Sequence, residues 1–163
     1  MTLHPNAARV QAALLQAGSA AQVQELPDSA RTAPEAAAAL GVDVGQIAKS
    51  LVFVADGTAV LAVLSGRHRL DTDRLASHLG AARVERADAD AVRAATGFPI
   101  GGVSPVAHPP GLRVLVDRAL ADYPVVWAAA GTPHAVFPTD FEELLAVSAG
   151  EGVDIRQSDG SAS

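Results

Sequence analysis

The chain has 163 residues, 49% of them hydrophobic and 18% charged, with a formal net charge of −6 and no cysteine. This length and balance describe one globular domain with a real core, and the missing cysteines exclude disulfides, thiolate zinc sites and a cysteine nucleophile together. So acidic a chain is not built to grip a long duplex, which argues against DNA as a partner and leaves only the end of a nucleic acid as something it could hold.

The first residues lack the basic-then-apolar pattern of a signal peptide, and no apolar run approaches the length of a membrane span. A soluble, cytoplasmic protein with no membrane partner is expected. Asn6 to Ala17 reads as a first helix, with Val10, Leu14 and Ala17 on one face and Gly18 behind it. Val23 to Leu26 is a short strand. Thr32-Ala33-Pro34-Glu35 fits a capping box, and the helix it opens runs through Ala36 to Leu40 and stops at Gly41. A turn over Asp43 to Ile47 leads to the strongest β signal, Leu51 to Ala55 and Ala59 to Leu64 around Asp56-Gly57, a favoured hairpin turn. Both arms are apolar with little alternation, so the hairpin is expected to be central and covered on both faces.

Asp71 or Thr72 caps a helix through Leu79. Ala82 to Glu85 is a strand candidate and Asp88 to Thr96 a helix. Phe98 to Gly111 holds four prolines and three glycines, which forbid regular structure. Strands follow at Leu112 to Asp117 and Pro124 to Ala129. Gly131-Thr132-Pro133 turns into a strand at His134 to Phe137, and Thr139-Asp140-Phe141-Glu142 reads as a second capping box for a helix through Val147. The domain is expected to span residues 1–150, with 151–163 a disordered tail. Strict βαβ alternation is absent. The expected fold is therefore α/β of the α+β kind, a mixed, partly curled sheet with helices packed outside it.

One residue stands apart. The chain has a single lysine, Lys49, against eleven arginines. It lies at the start of the run Leu51-Val52-Phe53-Val54, beside a core, where burial shifts a lysine pKa. It is either a site residue or a lysine snorkelling at a strand end. Ala48 stands where a phosphate loop needs its second glycine, Asp43 where it needs its first, and a strand rather than a helix follows, so Lys49-Ser50 does not belong to such a loop.

Gly101-Gly102-Val103-Ser104-Pro105 suits either a rigid backbone cradle for a carbonyl or oxyanion, or a stiff connection. Ser104 does not fit the hydrolase elbow, since the following Pro105 has no N–H to offer an oxyanion hole. The five histidines show no metal-ligand spacing, and no metal or cofactor is expected. His134 is either a site residue or a structural one. Trp127 and Phe137 read as core. Arg67-His68-Arg69 and Arg83, Arg86 and Arg93 are two small basic patches that read as solvated surface.

Thr32 to Gly41, Gly45 to Phe53, Gly101 to Pro105, Gly131 to His134 and Asp140 to Leu144 together resemble the YbaK / prolyl-tRNA synthetase-associated editing-domain family. The likeness runs from about Leu26 to Ala149. It implies a mixed α/β fold and a deacylase that hydrolyses the ester of mischarged aminoacyl-tRNA, commonly tRNA for proline carrying a wrong small amino acid, without a metal. It implies Lys49 as the essential residue beside the aminoacyl end, with Ser50 next to it. It assigns the loop Gly101, Gly102, Val103, Ser104 and Pro105 to the ester, and Gly131 and His134 to the surroundings of the pocket. The implied partner is the 3′ end of tRNA, with prolyl-tRNA synthetase or an elongation factor as sources of further affinity. The rival expectation is a non-catalytic module of the same fold that binds a nucleotide or an aminoacylated end.

Overall fold

A computed structural model describes residues 2–157. Helix α1 spans Pro5–Gln16, followed by strand β1 (Gln24–Glu25) and helix α2 (Ala33–Leu40). Strands β2 (Ile47–Ala55) and β3 (Thr58–Ser65) form the central hairpin, and α3 (Thr72–Leu79), β4 (Val84–Arg86) and α4 (Ala89–Thr96) follow. After the long loop come β5 (Arg113–Asp117), a 3₁₀ turn (Arg118–Asp122), β6 (Val126–Ala129), β7 (Ala135–Thr139), α5 (Phe141–Ser148) and β8 (Glu151–Val153). The strands make one mixed sheet in the order β1-β7-β6-β2-β3-β5-β8, with β4 also paired to β2. No helix among the described residues is long and apolar enough to cross a membrane.

The expected hairpin is the middle of that sheet. β2 and β3 are antiparallel from Ala48 opposite Ser65 to Ala55 opposite Thr58. Asp56 and Gly57 both take positive φ at the turn, the geometry that matches strand twist in a two-residue hairpin. Asp56 does more than turn. Its carboxylate accepts the N–H groups of Ala82 and Arg83 at 2.9 and 2.8 Å, which brings β4 alongside β2.

β3 is covered on both faces, as its apolar sequence requires. Leu61 and Val63 pack with Ala7, Val10 and Leu14 of α1, Val92 of α4 and Leu144 of α5. Val60, Ala62 and Leu64 point the other way, toward Leu75 of α3 and Ile155. Helix α2 sits over Ile47 and Trp127 through Ala36 and Ala37. Its start is as expected: the Thr32 hydroxyl accepts the Glu35 N–H, and the Glu35 carboxylate accepts the Thr32 N–H.

Four expectations are corrected. Lys49 is not at a strand's start, because parallel pairing of Ile47 and Ala48 with Trp127 and Ala128 of β6 begins β2 two residues earlier. The cap of α5 is Asp140, whose carboxylate accepts the Glu143 N–H at 2.8 Å. Thr139 stays in β7 and its hydroxyl donates to the Glu143 carboxylate instead. Trp127 is half-buried rather than core, although Phe137 is fully enclosed.

The fourth correction concerns the segment expected to be a tail. Glu151–Val153 pairs in parallel with β5, and Ile155 is 0% exposed. The short apolar residues Val153 and Ile155 close the cluster under α3, and this burial outweighs the polar character of their neighbours. The remainder of that expected tail, residues 158–163, lies outside the described residues. Truncating Ile155 to alanine is expected to cost about 2–5 kcal/mol in urea unfolding, as a buried isoleucine does. A tail residue would cost next to nothing.

Candidate active site

β2 has three partners for two edges. β3 takes one edge along its whole length, while the other is shared between β6, at Ile47 and Ala48, and β4, at Phe53 to Ala55. Between them no strand lies against Lys49, Ser50 and Leu51. The opening leads into a cavity of about 600 Å³. Its apolar wall includes Ala36, Ile47, Val52, Val92, Val103 and Trp127, and its other side is formed by the start of α2 and by Ile100 and Gly101 of the long loop.

The charged groups on this wall are all of one sign. Arg31, Lys49, Arg67, Arg69 and Arg86 line it together with His68, and no carboxylate does. Arg67 is held by Asp43 at 3.1 Å. The Lys49 ammonium makes no hydrogen bond or ion pair with any described residue. Burial first, then the nearby charges of Arg86 and Arg69, hold its pKa below the ordinary lysine value, with Asp117 pulling weakly the other way. A half-buried cation pressed by like charges and lacking a partner is a site prepared for an anion or a developing negative charge.

His68 is less available. Its Nδ1 lies 3.4 Å from the buried Asp117 carboxylate and its Nε2 3.3 Å from Arg156 Nη1. A guanidinium only donates, so Nε2 accepts and the ring proton sits on Nδ1, facing Asp117. Asp117 in turn accepts the N–H groups of Ser65 and Ala119 at 3.1 and 3.0 Å.

The residues singled out from the sequence divide into two groups. Lys49, Ser50, Gly101 and Val103 meet at the cavity. Ser50 Oγ is enclosed and has no hydrogen-bond partner among the described residues. Gly101 has φ +87°, and a Cβ there would come within 2.6 Å of Arg31 Cγ. Its N–H makes no hydrogen bond to any described residue and is one of the loop's available donors at the cavity. Gly102 is glycine for another reason: a Cβ would meet the Thr132 backbone at 2.7 Å, and its N–H is already donated to the Pro99 carbonyl.

The other residues lie away from the cavity wall. Ser104 is fully buried with its Oγ accepting the Val106 N–H, and Pro105 is buried beside it. The Gly131 carbonyl accepts from the Asn6 amide at 3.0 Å, and His134 is exposed. The sequence reading missed Arg31 and Trp127 as wall residues. It noticed Arg67-His68-Arg69 and Arg86 but assigned them to open surface. The signal available was their position directly after β3 and at the end of β4, where strand ends meet a site.

Comparison with known proteins identifies the family. The sequence model of a family described as "Aminoacyl-tRNA editing domain" matches residues 27–147. Proline–tRNA ligase of Streptococcus sanguinis is 34% identical over 130 residues, 74% of this chain and 21% of the ligase. The same enzyme of a Geobacter species is 41% identical over 86 residues, 53% of this chain and 15% of the ligase. The chain thus spans about a fifth or less of these relatives. Among solved structures, a protein proposed as a trans-editing enzyme for prolyl-tRNA synthetase is 46% identical and superposes with a TM-score of 0.90, covering 96% of this chain and 100% of that one. The family match takes in Lys49 on its opened strand and the glycine loop that faces it, and by that match the chain belongs to the aminoacyl-tRNA editing domain family.

Proposed function

We propose that this protein is a trans-editing deacylase that hydrolyses the ester of mischarged aminoacyl-tRNA, with tRNA for proline bearing a small wrong amino acid as its substrate. The observation that carries the reading is the one-signed wall around Lys49. A lone lysine, four arginines and no carboxylate suit the 3′ end of an RNA, whose phosphates are anionic and whose ester carbonyl becomes an oxyanion on attack. The 46% identity to a protein proposed as a trans-editing enzyme for prolyl-tRNA synthetase supports the editing reaction, and the similarity to proline–tRNA ligases supports tRNA for proline.

In this mechanism the terminal adenosine enters the gap beside β2. Lys49 positions the ester by holding a ribose or phosphate oxygen. The Gly101 N–H points to the carbonyl oxygen and stabilises the tetrahedral oxyanion. Water adds to the carbonyl carbon, the bond to the ribose oxygen breaks, and that oxygen leaves with a proton. The wall offers no carboxylate to take the water's proton and holds its imidazole between Asp117 and Arg156. A hydroxyl of the substrate ribose therefore orients the water. The apolar wall receives the amino-acid side chain and selects by volume, which separates near neighbours only modestly. Prolyl-tRNA synthetase or an elongation factor supplies affinity for the body of the tRNA.

The direct test is deacylation of tRNA for proline charged in turn with alanine, cysteine, serine and proline. One wrong pair is expected to be hydrolysed and the correct pair spared. Lys49→Ala is expected to lower that rate by about 10²-fold or more, the cost of a misplaced reacting group. Normal hydrolysis by the variant would remove Lys49 from the mechanism, and binding of the RNA end without any turnover would make the protein a binding module.

The lowered pKa of Lys49 has a second consequence. The folded state disfavours the ammonium form, so ionised Lys49 costs stability at neutral pH, and the cost is relieved as pH rises through the lowered value toward that of an unfolded lysine. Lys49→Met is expected to melt higher than wild type at neutral pH while losing activity, with the gap in melting temperature closing in alkali. Binding of the RNA end by wild type, which needs the cation, is expected to fall over the same rise in pH.

A further inference from the structure

The family match ends at residue 147, yet the chain beyond it packs against a segment that lines the cavity. Beyond β8 the backbone runs antiparallel to the connection between β3 and α3. The Asp71 N–H donates to the Ile155 carbonyl at 2.8 Å, the Gln157 N–H donates to the Arg69 carbonyl at 2.7 Å, and Leu70 and Arg156 form a β-bridge between them. That connection carries Arg67, His68 and Arg69, half of the basic wall. At its other end it is tied to β2 and β3 by the Gly66 N–H on the Ile47 carbonyl and the His68 N–H on the Ser65 carbonyl.

Arg156 joins this strap to the wall through side chains. Its Nη1 meets His68 Nε2 at 3.3 Å, and its Nε lies 3.6 Å from Asp154, which also holds Arg74 at 3.5 Å. The chain of contacts therefore runs from α3 through Asp154 and Arg156 to His68 and on to Asp117, which is buried beneath the pocket. Without the Arg156 side chain, the His68 ring keeps only its contact with Asp117, and the strap holds the wall by its backbone bonds alone.

We propose that Arg156 is a positioning residue for binding of the RNA end: through His68 it holds the Arg67–Arg69 wall in the conformation that presents its cations to RNA phosphates. This rests on the reading of the cavity as an RNA-end site. It does not depend on turnover.

The test uses the full chain as wild type, Arg156→Ala, Arg156→Lys, His68→Ala, the Arg156→Ala/His68→Ala double variant and Arg113→Ala. Arg113 pairs with Glu151 at 2.8 Å on the strap's own strand neighbour and is absent from the cavity wall, so it controls for loss of charge alone. The probe is an uncharged RNA hairpin ending in single-stranded CCA. The readout is the fluorescence of Trp127, the chain's one tryptophan and a cavity-wall residue.

Arg156→Ala is expected to weaken binding about tenfold, as loss of roughly two phosphate contacts does at moderate salt. Arg156→Lys, which keeps a donor for His68 Nε2, is expected to recover most of it, and Arg113→Ala to stay within about twofold of wild type. The double variant is expected to bind no worse than the weaker single variant, because the two residues act in series. Where deacylation occurs, the loss is expected in KM with kcat retained. Additive losses, an equal loss from Arg113→Ala, or a lower melting temperature with wild-type affinity would each overturn the proposal. If Arg156→Ala does not fold, Arg156→Lys and His68→Ala decide it, since wild-type binding by His68→Ala overturns it. Wild type that binds without hydrolysis sinks the deacylase reading and leaves this inference to be judged on affinity, whereas wild type that does not bind sinks both.

Discussion

A strand has two edges, and β2 is asked to serve three partners. β3 occupies one edge completely, so β6 and β4 must divide the other, and they do not meet. The cavity opens at the few residues left between them. A closed ladder there would satisfy the backbone and bury Lys49 against a neighbouring strand. The gap instead exposes a length of strand from inside the sheet, held rigid by full pairing on its far side. Rigid placement of this kind is what a positioning residue needs, because a side chain on a braced strand cannot follow a ligand as a loop residue can.

The gap also explains how an acidic protein makes a basic site. The net charge is −6, and its carboxylates serve elsewhere: Asp43 holds Arg67, Asp56 binds β4, Asp71 and Asp140 cap helices, and Asp117 lies beneath the cavity. Among the described residues, Arg31, Arg69 and Arg86 therefore face the cavity without an ion-pair partner, and only Arg67 has one, Asp43. In a concave, partly apolar enclosure such charges act more strongly than on an open surface. The concentration of positive charge is local to the cavity, in a chain that is acidic overall.

The glycines of the long loop divide their work. Gly101 lets the chain approach Arg31 at the cavity, while Gly102 lets it lie against the Thr132 backbone. One forms the site and the other anchors it. Ser104 and Gly131 belong to this anchoring layer, through a buried hydroxyl on the Val106 amide and a carbonyl on Asn6, while His134 is exposed on a turn. Nearness in a motif therefore did not mean nearness to the cavity.

Local chemistry was legible from the residues alone. The Thr32–Glu35 capping box, the Asp56-Gly57 hairpin and the helices ended by Gly41, Gly80 and Gly97 depend on interactions across a few positions, and each stands where the sequence places it. The single lysine at an apolar run also drew attention to Lys49, which the fold places on the cavity wall. What the sequence could not disclose depends on contacts between distant segments. Parallel pairing with β6 moved Lys49 into the interior of a strand, burial of Val153 and Ile155 turned part of an expected tail into core, and Arg86 joined Arg67 and Arg69 on one wall. Each is settled by which surfaces meet when the sheet closes, and residue order does not encode that except through the whole fold.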